Sequence, residues 1–288
     1  MNAILVAGAT GNVGRTVVAA LQARGTPVRA FVRDEDAARR LLGPGTELAL
    51  GDFRDPASLA RALRGVDAVF LTSADGPEKV AHETAVIDAA VAASVGRIVK
   101  LSSPHVLIGS DLVFWDWHGR IEQHLLASGV PAVCLRAGFL MSNLLSAADM
   151  ISATGRIAAP AGDARIAMID PLDVGACAAV TLTRDGHAGR TYRLTGPQAV
   201  SYHDVAAALS AATGRSVRFV DVSDEDARAG LSASGAPDWL AAALVTMFAK
   251  LRNGAGEETT DTVRSLTGRR PRTVAEWLVD RARAFAVG

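Results

Sequence analysis

Apolar positions in the first half of the chain follow two alternating rhythms. Short apolar runs predict six strands, over Ala3 to Val6, Val28 to Val32, Glu47 to Leu50, Ala68 to Leu71, Arg97 to Leu101 and Pro131 to Arg136. Stretches with helical spacing lie between them, over Val13 to Arg24, Asp36 to Leu42, Pro56 to Leu63, Glu78 to Ala93 and Trp117 to Ser128. Asp55 is a plausible N-cap before Pro56 at the first helical position, and Gly129 ends the last helix. Strands alternating with helices require parallel pairing and right-handed crossovers. The expected fold is therefore α/β, a Rossmann-type doubly wound parallel sheet.

After Gly138 the alternation weakens. A strand is expected over Arg190 to Leu194, a helix over Tyr202 to Thr213 and a strand over Val217 to Val222. From Asp224 onward the pattern is mostly helical with Gly and Pro breaks. The chain thus divides into a sheet domain over 1–138 and a smaller lobe over 139–288, partly interleaved with the sheet.

Composition narrows the classes. Hydrophobic residues make up 49% of the 288 and charged residues 21%, which excludes a mainly disordered chain. Thirty Lys and Arg balance thirty Asp and Glu, and no basic run is present. Nucleic acid is therefore excluded as the main partner, and so is a polybasic membrane contact. Arg269, Arg270 and Arg272 around Pro271 read as a solvated turn. Cys134 and Cys177 sit in apolar stretches and read as small buried hydrophobes rather than a disulfide. The longest apolar stretch, Trp239 to Ala249, is too short for the roughly 18 residues of a membrane span. The N-terminal segment lacks the positive region of a signal peptide. A soluble cytoplasmic protein is expected, as a monomer or homodimer.

The strongest local signal is Gly8-Ala9-Thr10-Gly11-Asn12-Val13-Gly14, between the first strand and the first helix. Such a turn needs one residue free to adopt positive φ. It needs a second without a side chain, so that backbone can approach a pyrophosphate, and a third that lets helix and strand pack closely. The helix N-terminus then directs unpaired N–H groups at the phosphates. Gly8, Thr10, Gly11, Asn12, Val13 and Gly14 are the expected dinucleotide cradle. At the end of the second strand stands Arg33, where NAD-binding proteins usually place an acid. A guanidinium suits a ribose 2′-phosphate, so NADP is favoured over NAD, although Asp34 follows and a one-residue shift would bring a carboxylate in. Asp52 and Phe53, after the third strand, are expected beside an adenine. Thr72, Ser73 and Ser102 end later strands, where open sheets bind ligands. Ser103 is placed with the substrate.

GATGNVGR, VRAFVRD, GDFRDPASL, VGRIVKLSS, the stretch WHGRIEQHLLASGVPAVCLRAGFLMSNLL and the tail TGRRPRTVAEW together resemble the NmrA-like atypical short-chain dehydrogenase/reductases. The resemblance runs over nearly the whole chain. It implies a Rossmann domain carrying NAD(P)(H) and a C-terminal lobe covering the substrate. That family includes NADPH:quinone oxidoreductases, triphenylmethane reductases, ergot-alkaloid iminium reductases and regulators without redox chemistry. The wider superfamily's catalytic Tyr-x-x-x-Lys is replaced here by His118-Gly119-Arg120-Ile121-Glu122. The resemblance also places Phe139, Met141 and Asn143 around the substrate.

His118 and Glu122 lie one helical turn apart on the expected helix. Glu122 is expected to orient His118 and raise its pKa, making it a proton donor near neutral pH. No metal site is expected, because His118 and His124 lack ligand spacing and no cysteine cluster accompanies them. The leading reading is an NAD(P)H-dependent oxidoreductase. Its substrate would be a small, already activated electrophile such as a quinone, an iminium ion or an enone. A dinucleotide-sensing regulator and a redox-neutral isomerase or cyclase stay open as alternatives.

Overall fold

The structure, a computed structural model, describes residues 3–286. The first half alternates as expected: β1 (Ala3–Ala7), α1 (Gly14–Gln22), β2 (Val28–Val32), α2 (Glu35–Leu42), β3 (Glu47–Leu50), α3 (Pro56–Ala62), β4 (Val66–Leu71), α4 (Lys79–Ala92), β5 (Arg97–Ser102), α5 (Val113–Ala127) and β6 (Ala132–Ala137). A 3₁₀ segment (Met141–Ala147) follows, then α6 (Ala148–Thr154), β7 (Arg156–Ala159), α7 (Pro171–Thr183), β8 (Thr191–Leu194) and α8 (Tyr202–Thr213). The chain continues through β9 (Arg218–Asp221), α9 (Asp224–Ala233), α10 (Asp238–Arg252), α11 (Thr262–Thr267) and α12 (Val274–Asp280).

Seven strands form one sheet in the order β3-β2-β1-β4-β5-β6-β8, and each neighbouring pair is parallel. The order reverses between β1 and β4, which opens a crevice at the carboxyl ends of those strands. β8 comes from the second half of the chain, which therefore returns to the sheet edge. Asp55 caps α3 by accepting from Ala57 N, with Pro56 at the first helical position, as its sequence predicts.

Each sheet face carries its own core. Val17, Leu21, Ala38 and Val174 pack with β1 and β2 on one face. Leu59, Val86, Ile87, Ile121 and Leu125 cover the other. A third core, around Trp277, Leu278, Met141, Ile157 and Leu209, fills the second lobe, where β7 and β9 pair as a small sheet. The helix α7 lies where the sequence pattern indicated no element. Its residues from Val174 to Leu182 are all buried, so it lacks the polar face that marks an amphipathic helix. It crosses α1 at backbone distance. Thr16 Oγ1 donates to Pro171 O at 2.8 Å, and a Cβ at Gly175 would sit 2.5 Å from the same Oγ1. The helix α5 begins at Val113, one turn ahead of the expected Trp117, through aromatic residues of modest helix propensity. Cys134 and Cys177 are buried free thiols. Among the described residues, no helix is long and apolar enough to cross a membrane.

Candidate active site

A cavity of about 1280 Å³ runs from the glycine loop, past the carboxyl ends of β4, β5 and β6, to the helices of the second lobe. Gly8, Thr10, Gly11, Asn12, Val13 and Gly14 line its first end. The loop is tight: Gly11 N donates to Gly8 O at 3.0 Å. Gly8 has φ +72°, and a Cβ there would meet Thr72 O at 2.5 Å. At Gly14 a Cβ would lie 2.1 Å from Gly8 O, so only glycine lets the first turn of α1 reach the strand end. At Gly11 a Cβ would meet only Gly8 O, at 3.3 Å, a tight contact but a far milder one than at Gly8 or Gly14. No side chain caps α1 and its first turn carries no acid, so the positive end of the helix meets the cavity uncompensated. This cradle fits a dinucleotide pyrophosphate.

Arg33 lines the same end of the cavity. The carboxylate of Asp34 accepts from Ala37 N at 2.9 Å and caps α2, which leaves Arg33 as the charged group at this strand end. Asp52 and Phe53 also line the cavity. Asp52 is turned back on Arg54, accepting from its backbone N at 2.8 Å and its Nε at 3.0 Å. Those bonds hold the Asp52 carboxyl down at about 2, with smaller help from the charge of Arg33. Phe53 sits between Phe31 and His82, with ring centroids 5.5 and 5.7 Å away. Thr72, Ser73, Ser102 and Ser103 all reach the cavity wall. The hydroxyls of Ser73 and Ser102 point elsewhere, to Glu83 at 2.9 Å and to Glu122 at 2.6 Å.

The expected pairing of His118 with Glu122 does not form. Glu122 is buried and accepts from Ser102 Oγ and from Arg136 Nε and Nη2, the last at 2.6 Å. One turn along α5 shifts the carboxylate over β5 and β6, where these partners wait. His118 lies above Lys100, whose Nζ is 3.1 Å from its Nδ1. An ammonium only donates, so Nδ1 accepts and the ring hydrogen sits on Nε2. Burial first, then the charges of Lys100 and Lys79, push the His118 pKa well below its ordinary value. His118 is thus a neutral imidazole near pH 7, opposite in direction to the sequence expectation.

Behind His118 lies a charged cluster that the sequence reading missed. Lys100, Glu83 and Lys79 are all buried. Glu83 pairs with Lys100 at 2.6 Å and with Lys79 at 3.0 Å. Lys79 also pairs with the half-exposed Asp75 at 3.2 Å. Burial would raise the Glu83 pKa, but the two lysines outweigh it and hold the carboxyl at about 2. Burial lowers the Lys100 pKa, with Lys79 adding to the effect and Glu83 opposing it. A readable signal was present: a lysine in the middle of a parallel strand covered on both faces must find a partner inside.

The far end of the cavity is aromatic and aliphatic. Phe114, Trp115, Phe139, Tyr202, Met247 and Phe248 line it, with Asn143 and Leu144. Met141, expected in the pocket, is instead fully buried in the second lobe's core, because the 3₁₀ segment turns it away from Asn143. Trp115 faces the cavity, while Trp117 packs against Trp239 with ring centroids 5.5 Å apart and the rings tilted by 58°.

Comparison with known proteins places this geometry. The NmrA-like family model matches residues 1–278. An NAD(P)H azoreductase of Xenophilus azovorans is 39% identical over 282 residues, 98% of this chain and 99% of that protein. Among solved structures, an NADPH-dependent quinone oxidoreductase of Escherichia coli complexed with NADPH superposes with a TM-score of 0.86. It is 31% identical and covers 96% of this chain and 99% of its own. A Citrobacter triphenylmethane reductase complexed with NADP(H) gives 0.84 at 25% identity, covering 97% and 99%. The chain belongs to the NmrA-like family.

Proposed function

We propose that the chain is an NAD(P)H-dependent oxidoreductase that reduces a small activated electrophile, with NADPH the favoured cofactor. One observation carries the reading: the dinucleotide cradle and the aromatic chamber are two ends of a single open cavity. A cofactor along Gly8 to Gly14 then shares one continuous space with whatever sits against Phe139 and Phe248. The reduced nicotinamide supplies a hydride when bound. The chain's residues do the rest. The glycine loop and the α1 N-terminus hold phosphates, and Arg33 meets a 2′-phosphate. The apolar chamber excludes water and holds a planar acceptor. His118 offers a neutral N–H at the chamber wall.

The relatives named above are reductases acting on azo compounds, quinones and triphenylmethane dyes, which support the same substrate class here. A cationic dye is neutralised by hydride alone, while an azo or quinone acceptor also takes up a proton, which must come from a group other than the Tyr and Lys missing at positions 118 and 122. The open chamber favours an enzyme over a sensor. We place the protein in the cytoplasm as a monomer or homodimer, which fractionation and sedimentation test. The deciding experiment follows NADPH absorbance against azo dyes, quinones, enones and triphenylmethane dyes. Oxidation with at least one class is expected. Tight NADPH binding by calorimetry without turnover on any class would establish a sensor instead.

A further inference from the structure

We propose that Lys100 makes His118 the proton source for the substrate, passing a proton to Nδ1 as Nε2 gives one up. This rests on the reductase reading. Hydride addition to a neutral acceptor leaves an anion that must be protonated. A neutral imidazole is a poor acid by itself, because loss of its N–H leaves imidazolate. His118 escapes that penalty because its other nitrogen lies 3.1 Å from an ammonium. Its Nε2 has no hydrogen-bond partner among the described residues, and the ring lines the cavity. Lys100 itself is fully buried and reaches the substrate only through the ring.

The surroundings suit a movable proton. Two buried ammonium groups, on Lys79 and Lys100, share the single buried carboxylate of Glu83. Replacing such buried charges with packed apolar groups is often neutral or stabilising, so stability alone does not account for the cluster. Burial loosens the Lys100 proton, and the charge of Lys79 works in the same direction against the pull of Glu83. Besides Glu83 and Lys79 from α4, the titratable neighbour of Lys100 is Cys134 on β6. His118 feels Lys100 and Lys79.

An azo acceptor takes up hydride and proton on its two linked nitrogens. Hydride from a bound reduced nicotinamide dinucleotide would go to one nitrogen and leave the other anionic. The Nε2–H bond of His118 breaks as a new N–H bond forms on that nitrogen. A Lys100 Nζ–H bond breaks as an Nδ1–H bond forms, leaving a neutral ring and a neutral amine. When product departs, Nε2 takes up one proton from bulk solvent through the cavity, the proton the reduction consumes, and Nδ1 returns its own to Lys100. No electrons pass through either side chain. Lys100 is a positioning residue, and His118 is the group that touches substrate.

The test compares a neutral azo dye, which needs a proton, with a cationic triphenylmethane dye, which hydride alone neutralises. In His118→Phe the azo-to-cation rate ratio is expected to fall by about 10², the low end for one acid group. Lys100→Met is expected to lower the same ratio about ten-fold, since the ring remains but is not resupplied. Nitrogen-15 NMR of the wild type is expected to show His118 neutral, protonated on Nε2 and accepting at Nδ1. An unchanged ratio in His118→Phe, or an Nδ1–H ring in the wild type, overturns the proposal. Neither measurement needs the buried lysine variant, so the test stands if Lys100→Met fails to fold. If the wild type reduces neither dye while the ring shows the expected tautomer, the reductase reading fails and the relay falls with it.

Discussion

The two ends of the cavity are built from different material. The cofactor end is backbone from one short segment, Gly8 to Gly14, shaped by glycines and by the start of α1. The acceptor end is side chains gathered from Phe114, Phe139, Tyr202 and Phe248, residues far apart in the chain. A backbone wall recognises what every dinucleotide shares. A side-chain wall can change residue by residue without disturbing that recognition. One scaffold can therefore keep its hydride source and exchange its acceptor.

The contrast breaks most sharply at Gly11. A Cβ there meets only Gly8 O, at 3.3 Å, so Gly11→Val is expected to cost the loop a shift of a few tenths of an ångström, keep the fold and abolish dinucleotide binding. Calorimetry showing normal affinity would mean that the loop is only a turn. A finer division appears at Arg33. One charge-assisted pair contributes roughly 1.5–3 kcal/mol, so Arg33→Ala should weaken NADPH binding about ten-fold or more and NADH binding little. Equal losses for both cofactors would remove Arg33 from phosphate recognition.

At the other end, Phe248→Ala should move KM for the acceptor several-fold while the dissociation constant for NADPH holds steady. Phe248 packs against Tyr202, with centroids 5.8 Å apart, and both line the chamber. Coupled changes in both constants would show that the two ends are not independent. The smallest effect is in acid. The folded-state pKa of His118 is depressed, so the unfolded chain binds its proton first. Stability should therefore fall as pH drops below about 6.5, the unperturbed histidine value. Glu83 adds a second loss as pH falls from the ordinary carboxyl range toward about 2. Denaturant midpoints across that range should slope less in His118→Phe. A parallel slope would place the sensitivity elsewhere.

Legibility in the sequence follows the same division. The glycine turn, the first six strands and the place of Arg33 at a strand end could be read because local spacing dictates them. The helix α7 could not, since a helix buried all round has no period to detect. Met141 and Asn143 are separated by two positions in the chain yet face a core and a cavity. Their orientation depends on a 3₁₀ turn set by packing. Glu122 shares a helix with His118, but the guanidinium of Arg136 on β6 decides where it points. Pair partners brought from other elements are the part of a site that spacing along one helix does not carry. Lys100 was the exception, a charge inside a buried strand that announces a partner without naming it.

The two buried cysteines have a consequence for survival during turnover. Quinones and enones are also alkylating agents, and they attack thiolates. Burial pushes the thiols of both Cys134 and Cys177 up to about 12. At neutral pH roughly one in 10⁵ of either would be ionised, and neither is open to solvent. The sequence contains no other cysteine. A catalyst working on soft electrophiles thus presents them with no accessible thiolate of its own.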